Sequence, residues 1–321
     1  MTEIIIQKND AGQRADRFLS KAYPNLKSSL INKLMRKKRI KLNGAKTEPN
    51  TILKEGDVFR FYLGEELLQK EIREDFREAS SDISVVYEDE NILLIDKPCG
   101  LVVHEDNDKS SDTLINRVLK YLSQKGEYSP EEENSFTPAL VNRIDRNTSG
   151  IVIAAKNAES LRILSQKVHD RELEKLYLCT VCGRPKPESA TLTAYLKKNA
   201  DENRVYVSDT PKQGFLTIET KYRVLKSRED LSLVEVDLLT GRTHQIRAHF
   251  SHIGHPLLGD GKYGTSETNL LNKQFSAKFQ ALCSYKLTFK FTTDSGILEY
   301  LNGKTFEISD IDNLWFVKLF Q

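Results

Sequence analysis

Asn142-Arg143-Ile144-Asp145-Arg146-Asn147-Thr148-Ser149-Gly150 runs directly into Ile151-Val152-Ile153-Ala154-Ala155-Lys156, and the reading of the chain turns on this junction. The first nine residues form a polar loop with one carboxylate held between two guanidinium groups. The residues after Gly150 are apolar and partly β-branched, which predicts a buried strand. A carboxylate at a strand end, flanked by cations, stays ionised and is available as a nucleophile or base. The same residues also suit an Asp-anchored turn closed by glycine, with no chemistry attached. No second carboxylate lies close by in sequence, which disfavours the paired acids of a glycosidase.

Other short β runs lie on both sides of the junction. Ile92-Leu93-Leu94-Ile95 and Tyr177-Leu178-Cys179-Thr180-Val181 predict strands, and residues 232–238 and 287–291 alternate with the period of half-buried strands. Helical spacing appears near 113–124, 158–169 and 243–253. In the last of these Ile246, Phe250 and Ile253 form the apolar stripe and Gly254 closes the helix. From residue 83 to 321 the pattern is an α+β body on a mixed or antiparallel sheet, ending in a tail whose Trp315, Phe316 and Phe320 can pack on it.

Charge divides the chain more sharply than secondary structure does. The 321 residues carry 48 Lys+Arg and 46 Asp+Glu, a net +2 that at face value speaks against a strongly basic nucleic-acid binder. Residues 1–63, however, hold fourteen basic and six acidic side chains, a net of +8, so the rest of the chain stands at −6. Residues 64–82, with Glu65, Glu66, Glu71, Glu74, Asp75 and Glu78, read as an acidic linker. The basic segment is a small α/β module of its own. Ser28 or Ser29 can cap a helix with Leu30, Ile31, Leu34 and Met35 on one face, leaving Lys33, Arg36, Lys37 and Arg39 to project elsewhere. Ile40-Lys41-Leu42 meets the hairpin signal Asn43-Gly44, and 58–63 follows as a second strand. An exposed basic helix on such a module suits an RNA backbone, although a charge run is more usually a solvated face.

Several classes drop out. No apolar run approaches the roughly 18–20 residues that span a bilayer, and residues 1–10 lack the apolar core of a signal peptide. Four cysteines in this length do not make a disulfide scaffold. A cytoplasmic protein with no membrane partner is expected, and nothing requires more than a monomer.

Residues 142–156 resemble the signature loop of the RluA family of pseudouridine synthases, and four more stretches match in order: residues 89–104 with their Lys97-Pro98-Cys99-Gly100 turn, Glu174-Lys175-Leu176-Tyr177-Leu178, Gly241-Arg242-Thr243-His244-Gln245-Ile246-Arg247, and Gly259-Asp260-Gly261-Lys262-Tyr263-Gly264. Residues 1–63 separately resemble the alpha-L RNA-binding module. The resemblance implies a pseudouridine synthase catalytic domain on the α+β body, isomerising uridines in structured RNA, most often large-subunit ribosomal RNA. It implies that Asp145 attacks the target uridine or its ribose, that Tyr177 contacts the flipped base or moves a proton, and that Arg247 pairs with the aspartate. Arg143, Arg146, Arg242, His244 and Lys97 would contact RNA beside the site, as would Lys33, Arg36, Lys37 and Arg39 on the module. Asn142 stands where the family usually has His, and cannot carry a proton, so the contact or loop setting made there is in question. Moving a base on its own ribose involves neither redox nor net hydrolysis, so no metal or organic cofactor is implied. A transfer-RNA enzyme, or a non-catalytic RNA-binding or ribosome-assembly factor on the same fold, are the alternatives.

Three other patterns are decoys. Gly259-x-Gly261-x-x-Gly264 fits a dinucleotide fingerprint but lacks the preceding strand and βαβ unit. His244, His249, His252 and His255 lack the spacing of a zinc site and suit a polar, RNA-facing helix end better. Cys179 and Cys182 would diverge on a strand and read as buried small hydrophobes.

Overall fold

The computed structural model describes residues 2–72, 74–105 and 111–321. The basic segment folds around its own core. Strands β1 (Thr2–Ile5), β2 (Ile40–Leu42), β3 (Ala45–Lys46) and β4 (Val58–Phe61) form a four-stranded sheet in the order β1-β4-β2-β3. Helices α1 (Ala15–Ala22) and α2 (Ser28–Arg36) pack on it through Phe18, Leu19, Ile31 and Met35 against Phe59 and Phe61. Neither serine caps α2. The N-cap is Lys27, whose carbonyl already accepts from the amides of Leu30 and Ile31, so the helix starts one residue earlier than expected. Asn43 and Gly44 both take positive φ, as a two-residue hairpin turn requires.

The body is built on an eleven-stranded sheet. Its strands are β5 (Ser84–Glu88), β6 (Ile92–Lys97), β7 (Ala139–Leu140), β8 (Ser149–Ala155), β9 (Leu173–Cys182), β10 (Ser189–Asn199), β11 (Arg204–Ser208), β12 (Leu216–Arg228), β13 (Leu231–Asp237), β14 (Leu282–Phe289) and β15 (Thr305–Glu307). The main order is β11-β10-β12-β13-β9-β14-β8-β6-β5, with β7 beside β8 and β15 beside β14. Every pairing is antiparallel except β14 with β8. Helices α3 (Leu114–Gln124), α4 (Ala158–His169) and α5 (Gln245–His252) fall where helical spacing placed them. A fourth, α6 (Ser266–Gln274), is started by a Thr265–Thr268 capping box that the sequence reading passed over. No helix among the described residues is long and apolar enough to cross a membrane.

Two apolar layers sandwich the sheet. On one side Leu119 of α3, Ile246 and Phe250 of α5 and Tyr177, Cys179 and Val181 of β9 share a core; on the other Leu164 of α4, Leu178 and Cys182 of β9 and Leu298, Phe316 and Val317 of the tail share a second. Cys179 and Cys182 thus face opposite layers. Residues 231–237 are not half-buried as their alternation suggested, because Val234 and Val236 enter the first layer while Leu231 and Leu233 enter the second. The strand read at 287–291 starts at Leu282 and lies at the centre of the sheet. Nor is 64–82 merely a linker. It contains two short 3-10 turns, and Phe76 is buried in the first layer against the Tyr128 ring.

The central strands set the site by register. Ser284 of β14 pairs with Gly150 on one side and Tyr177 on the other, so the exit of the 142–150 loop and Tyr177 are aligned across one strand. Gly150 has φ +107, and a Cβ there would lie 2.2 Å from the Ser284 carbonyl oxygen. Gly100 also has positive φ but nothing within 4 Å. Gly100→Ala should therefore cost only the roughly 1–2 kcal/mol of a left-handed alanine. Gly150→Ala should add overpacking of about 1–3 kcal/mol to that. Denaturant unfolding of both variants checks this ranking, and equal losses would show that the β8–β14 contact is not tight.

Candidate active site

The Asp145 loop is fixed at several points. Asp145 and Thr148 close a turn, the Thr148 amide donating to the Asp145 carbonyl at 3.0 Å. The Arg146 carbonyl accepts from the Gly100 amide at 2.9 Å and from Lys97 Nζ at 2.9 Å. Gln280 Nε2 donates to Thr148 Oγ1 at 3.3 Å. At the start of the loop Asn142 Oδ1 accepts the Ile153 amide at 2.8 Å. The departure at 142 therefore falls on a side chain whose carbonyl oxygen sets the β7–β8 backbone.

Lys97 is not a surface contact for RNA. It is fully buried, and Nζ donates to the carbonyls of Pro98, Leu101 and Arg146 at 2.7–2.9 Å, which uses its three N–H bonds. Burial pulls its pKa down to about 8, opposed by the nearby Cys99 and Asp145. The lysine locks the 97–101 turn onto the loop that carries Asp145. Arg143 and Arg146, by contrast, are exposed, as are Arg242 and the module's Lys33, Arg36, Lys37 and Arg39.

Arg247 brings the centre together. Taken alone it reads as a surface residue of α5, yet it is 7% exposed. Its Nη1 donates to Asp145 Oδ2 at 2.8 Å, while Nε and Nη2 form a fork onto Asp260 Oδ2 and Oδ1 at 2.7 and 2.9 Å. Burial would lower the guanidinium pKa, but Asp260 and Asp145 hold it above its ordinary value. Asp260 is wholly buried and also accepts from the amides of Lys262 and Tyr263. Burial pushes its carboxyl up, and Arg247 and those amides pull it below the usual carboxylate range. Of the two carboxylates only Asp145 reaches solvent, with its side chain 24% exposed against 0% for Asp260.

The other side of Asp145 is closed by His244, which takes a left-handed backbone at the start of α5. Its Nδ1 lies 2.8 Å from the Tyr263 hydroxyl, which itself accepts the Val205 amide. With the phenol donating to Nδ1, the proton of the neutral imidazole sits on Nε2, 3.9 Å from Asp145 Oδ1. Burial pushes His244 down to about 4, against the pull of Asp145, so at neutral pH no ion pair forms there. Of the remaining three histidines in residues 244–255 only His252 is exposed. His249 is 1% exposed and bonded to Thr220, His252 meets Asp209, and His255 meets the Cys182 carbonyl. Tyr177 is buried, and burial pushes its phenol up to about 12, with Asp145 adding to the rise, so it stays protonated at neutral pH.

An open cavity of about 780 Å³ lies beside this centre, lined by Asn147, Arg204, Arg247, Lys262 and Phe279 among others. Its size is that of a ligand cleft. Asp260, Tyr263, Arg204 and Phe279 were given no role from sequence. The first two stand inside the Gly259–Gly264 motif, whose glycines drew attention as a possible fingerprint. Here Gly259 instead lets the backbone pass under Phe279, since a Cβ would lie 2.0 Å from the Phe279 carbonyl oxygen.

Comparison with known proteins follows the same outline. The family model described as RNA pseudouridylate synthase matches residues 91–252. The chain is similar to an RNA pseudouridine synthase of Aquifex aeolicus (strain VF5), 34% identical over 88% of this chain and 87% of that protein. It is also similar to ribosomal large subunit pseudouridine synthase C of Vibrio cholerae serotype O1 (strain ATCC 39315 / El Tor Inaba N16961), 30% identical over 85% of this chain and 83% of that one. The fold resembles that of human RNA Pseudouridylate Synthase Domain Containing 4, with a TM-score of 0.54 at 20% identity over 70% of this chain and 87% of the human chain.

Replacing Asp260 by Asn leaves the buried guanidinium short of a charge and should cost about 3–5 kcal/mol. The sign with pH follows from the lowered carboxyl. The Asp260 contribution is complete above its ordinary value of 3.8 and is lost as pH falls through the lower folded value. The stability gap between wild type and Asp260→Asn should therefore be constant near neutrality and narrow in strong acid. Denaturant unfolding at several pH values measures it; a gap that widens on acidification would rule out the Arg247–Asp260 pair as its source.

Proposed function

We propose, from the premise that this chain belongs to the RNA pseudouridylate synthase family and is therefore an isomerase of RNA uridines, that Asp145 is the group that attacks the target nucleotide. The observation that carries the assignment is the Arg247 bridge, which holds Oδ2 of Asp145 and leaves Oδ1 unoccupied by that guanidinium. An aspartate nucleophile must be anionic, and a buried cation offsets the desolvation that would otherwise protonate it. Attack at the uridine or its ribose lets the N1–C1′ bond break. The freed uracil turns, C5 bonds to C1′, the C5 proton leaves and N1 gains one, so the product is an isomer of the substrate. Neutral Tyr177, buried on β9, and the Nε2–H of His244, which lies toward Asp145, are the hydrogen-bond donors assigned to the turning base. Taking the uridine out of its stack costs a few kcal/mol, and exposed Arg143 and Arg146 are placed to hold the strand it leaves.

Ribosomal RNA of the large subunit is the proposed substrate. Support comes from the name of the Vibrio relative and from the basic module, which we read as an alpha-L RNA-binding domain spanning residues 1–63. RNA labelled with tritium at uridine C5 provides the test: wild type should release tritium, and Asp145→Asn should release none above background. Release that persists in the variant would remove Asp145 from the chemistry.

The module's part is separable. Lys33, Arg36, Lys37 and Arg39 are all exposed, so changing all four to Gln should leave the fold intact. If each meets a phosphate, the slope of log K against log salt should fall by about 3, at roughly 0.7–0.9 per contact. An unchanged slope in a filter-binding titration would show that this face does not touch RNA.

A further inference from the structure

The wall of the cleft formed by residues 278–280 carries an aromatic ring that nothing in the reaction uses. Phe279 is 42% exposed, an unusual position for a phenyl group immediately ahead of a central strand. Its backbone is held on two sides. The carbonyl rests against Gly259, next to the Asp260 that grips Arg247, and the following residue, Gln280, reaches Thr148 of the Asp145 loop. Beyond it the Ala281 amide donates to the Leu258 carbonyl at 2.8 Å. Phe279 therefore sits between the segment that carries Asp260 and the loop that carries Asp145, and it lines the cavity that Arg247 also lines.

Around the ring the cavity is cationic. Arg204, Lys262 and Lys278 line it against one carboxylate, Glu202, which is already engaged with Asn199 and the Tyr206 hydroxyl. The Arg204 guanidinium is braced 5.2 Å from the Tyr263 ring centroid, and Lys262 Nζ is tied to the Asn203 carbonyl. A flat apolar face set among cations matches one ligand chemistry well. The face takes an unstacked base and the cations take the phosphates on either side. A docking protein would be served less well by a single ring in so polar a surround.

We propose that Phe279, with Arg204 and Lys278, forms a second nucleotide subsite that stacks an unpaired base next to the target uridine. The subsite rests on the pseudouridine synthase reading and adds a specificity element to it, favouring uridines whose neighbour is free to leave the helix. The full chain carrying Asp145→Asn, so that binding is not followed by chemistry, is titrated with an RNA stem–loop whose loop is rich in uridine. Phe279→Ala should weaken binding roughly ten- to a hundredfold, the loss of one base–aromatic stack. Phe279→Leu keeps the apolar volume but not the flat face and should fall with it, whereas Phe279→Tyr should restore affinity. Phe279→Trp should show indole fluorescence quenched by the RNA, in excess of any change from the native Trp315. Wild-type affinity in Phe279→Ala or Phe279→Leu would overturn the subsite, as would an unquenched indole in a complex of full affinity. Tritium release by the chain with Asp145 intact separates the two ideas. Release with an unchanged KM in Phe279→Ala defeats the subsite alone, and absence of release from any cellular RNA defeats the reading beneath it.

Discussion

A single guanidinium between two carboxylates is the constraint around which the rest of the body is arranged. Arg247 is nearly buried and so must be paired, because an isolated buried charge costs several kcal/mol. Two partners of different kinds do this. Asp260, wholly buried and fed by two backbone amides, takes the fork and fixes the plane of the guanidinium. Asp145 then receives only the one remaining direction, and is the carboxylate left in contact with solvent. Had the fork gone to Asp145, both of its oxygens would accept from the guanidinium, whereas here Oδ1 is left clear of it. The asymmetry of the bridge thus lets one cation serve a buried ion pair and a carboxylate that still meets solvent.

Apart from the Arg247 and Gln280 contacts, what holds the Asp145 loop acts on backbone. Lys97 spends three N–H bonds on carbonyls, Asn142 spends its oxygen on an amide, and Gly150 removes a side chain so that Ser284 can approach. Side-chain contacts to the carboxylate itself are few, which leaves room for a substrate. A loop held in this way needs no closure to become ordered. The ordering has been met in folding, and binding energy is free for drawing the base out of its stack.

The architecture was legible where periodicity and local chemistry agreed. Helices at 114–124, 158–169 and 245–252, the Asn43-Gly44 hairpin and the strand after Gly150 all follow from local pattern. The errors came from tertiary context. Alternation at 232–238 looked like a half-exposed strand because Glu235 and Asp237 interrupt it, yet apolar layers cover both faces. Phe76 was lost among acidic neighbours. At the site, the ordered motifs drew attention to the neighbourhood of Asp145, Tyr177 and Arg247, but not to how the groups are wired. A lysine next to proline gives no hint that it is fully buried, and Asp260 sits in a glycine pattern that points toward nucleotides. Phe279 has no local signal at all, since exposure of an aromatic ring is a property of the folded chain alone.

The same wiring bears on the charges that an RNA would meet. Arg247 cannot contribute a phosphate contact, because its charge is already matched by two carboxylates at hydrogen-bond distance. The residues outside 1–63 are net acidic and the excess positive charge lies in the +8 module, where exposed charges act over about a Debye length of 8–10 Å. Close to the centre the task changes. There Arg143, Arg146 and Arg204 are exposed singly rather than gathered in one basic run. On the proposed assignment of Asp145, a uniformly basic cleft would hold RNA more tightly but would also make that carboxylate a weaker nucleophile by stabilising its anion further. A net charge near zero is what remains when a basic module and an acidic body, which holds the solvent-facing Asp145, are joined in one chain.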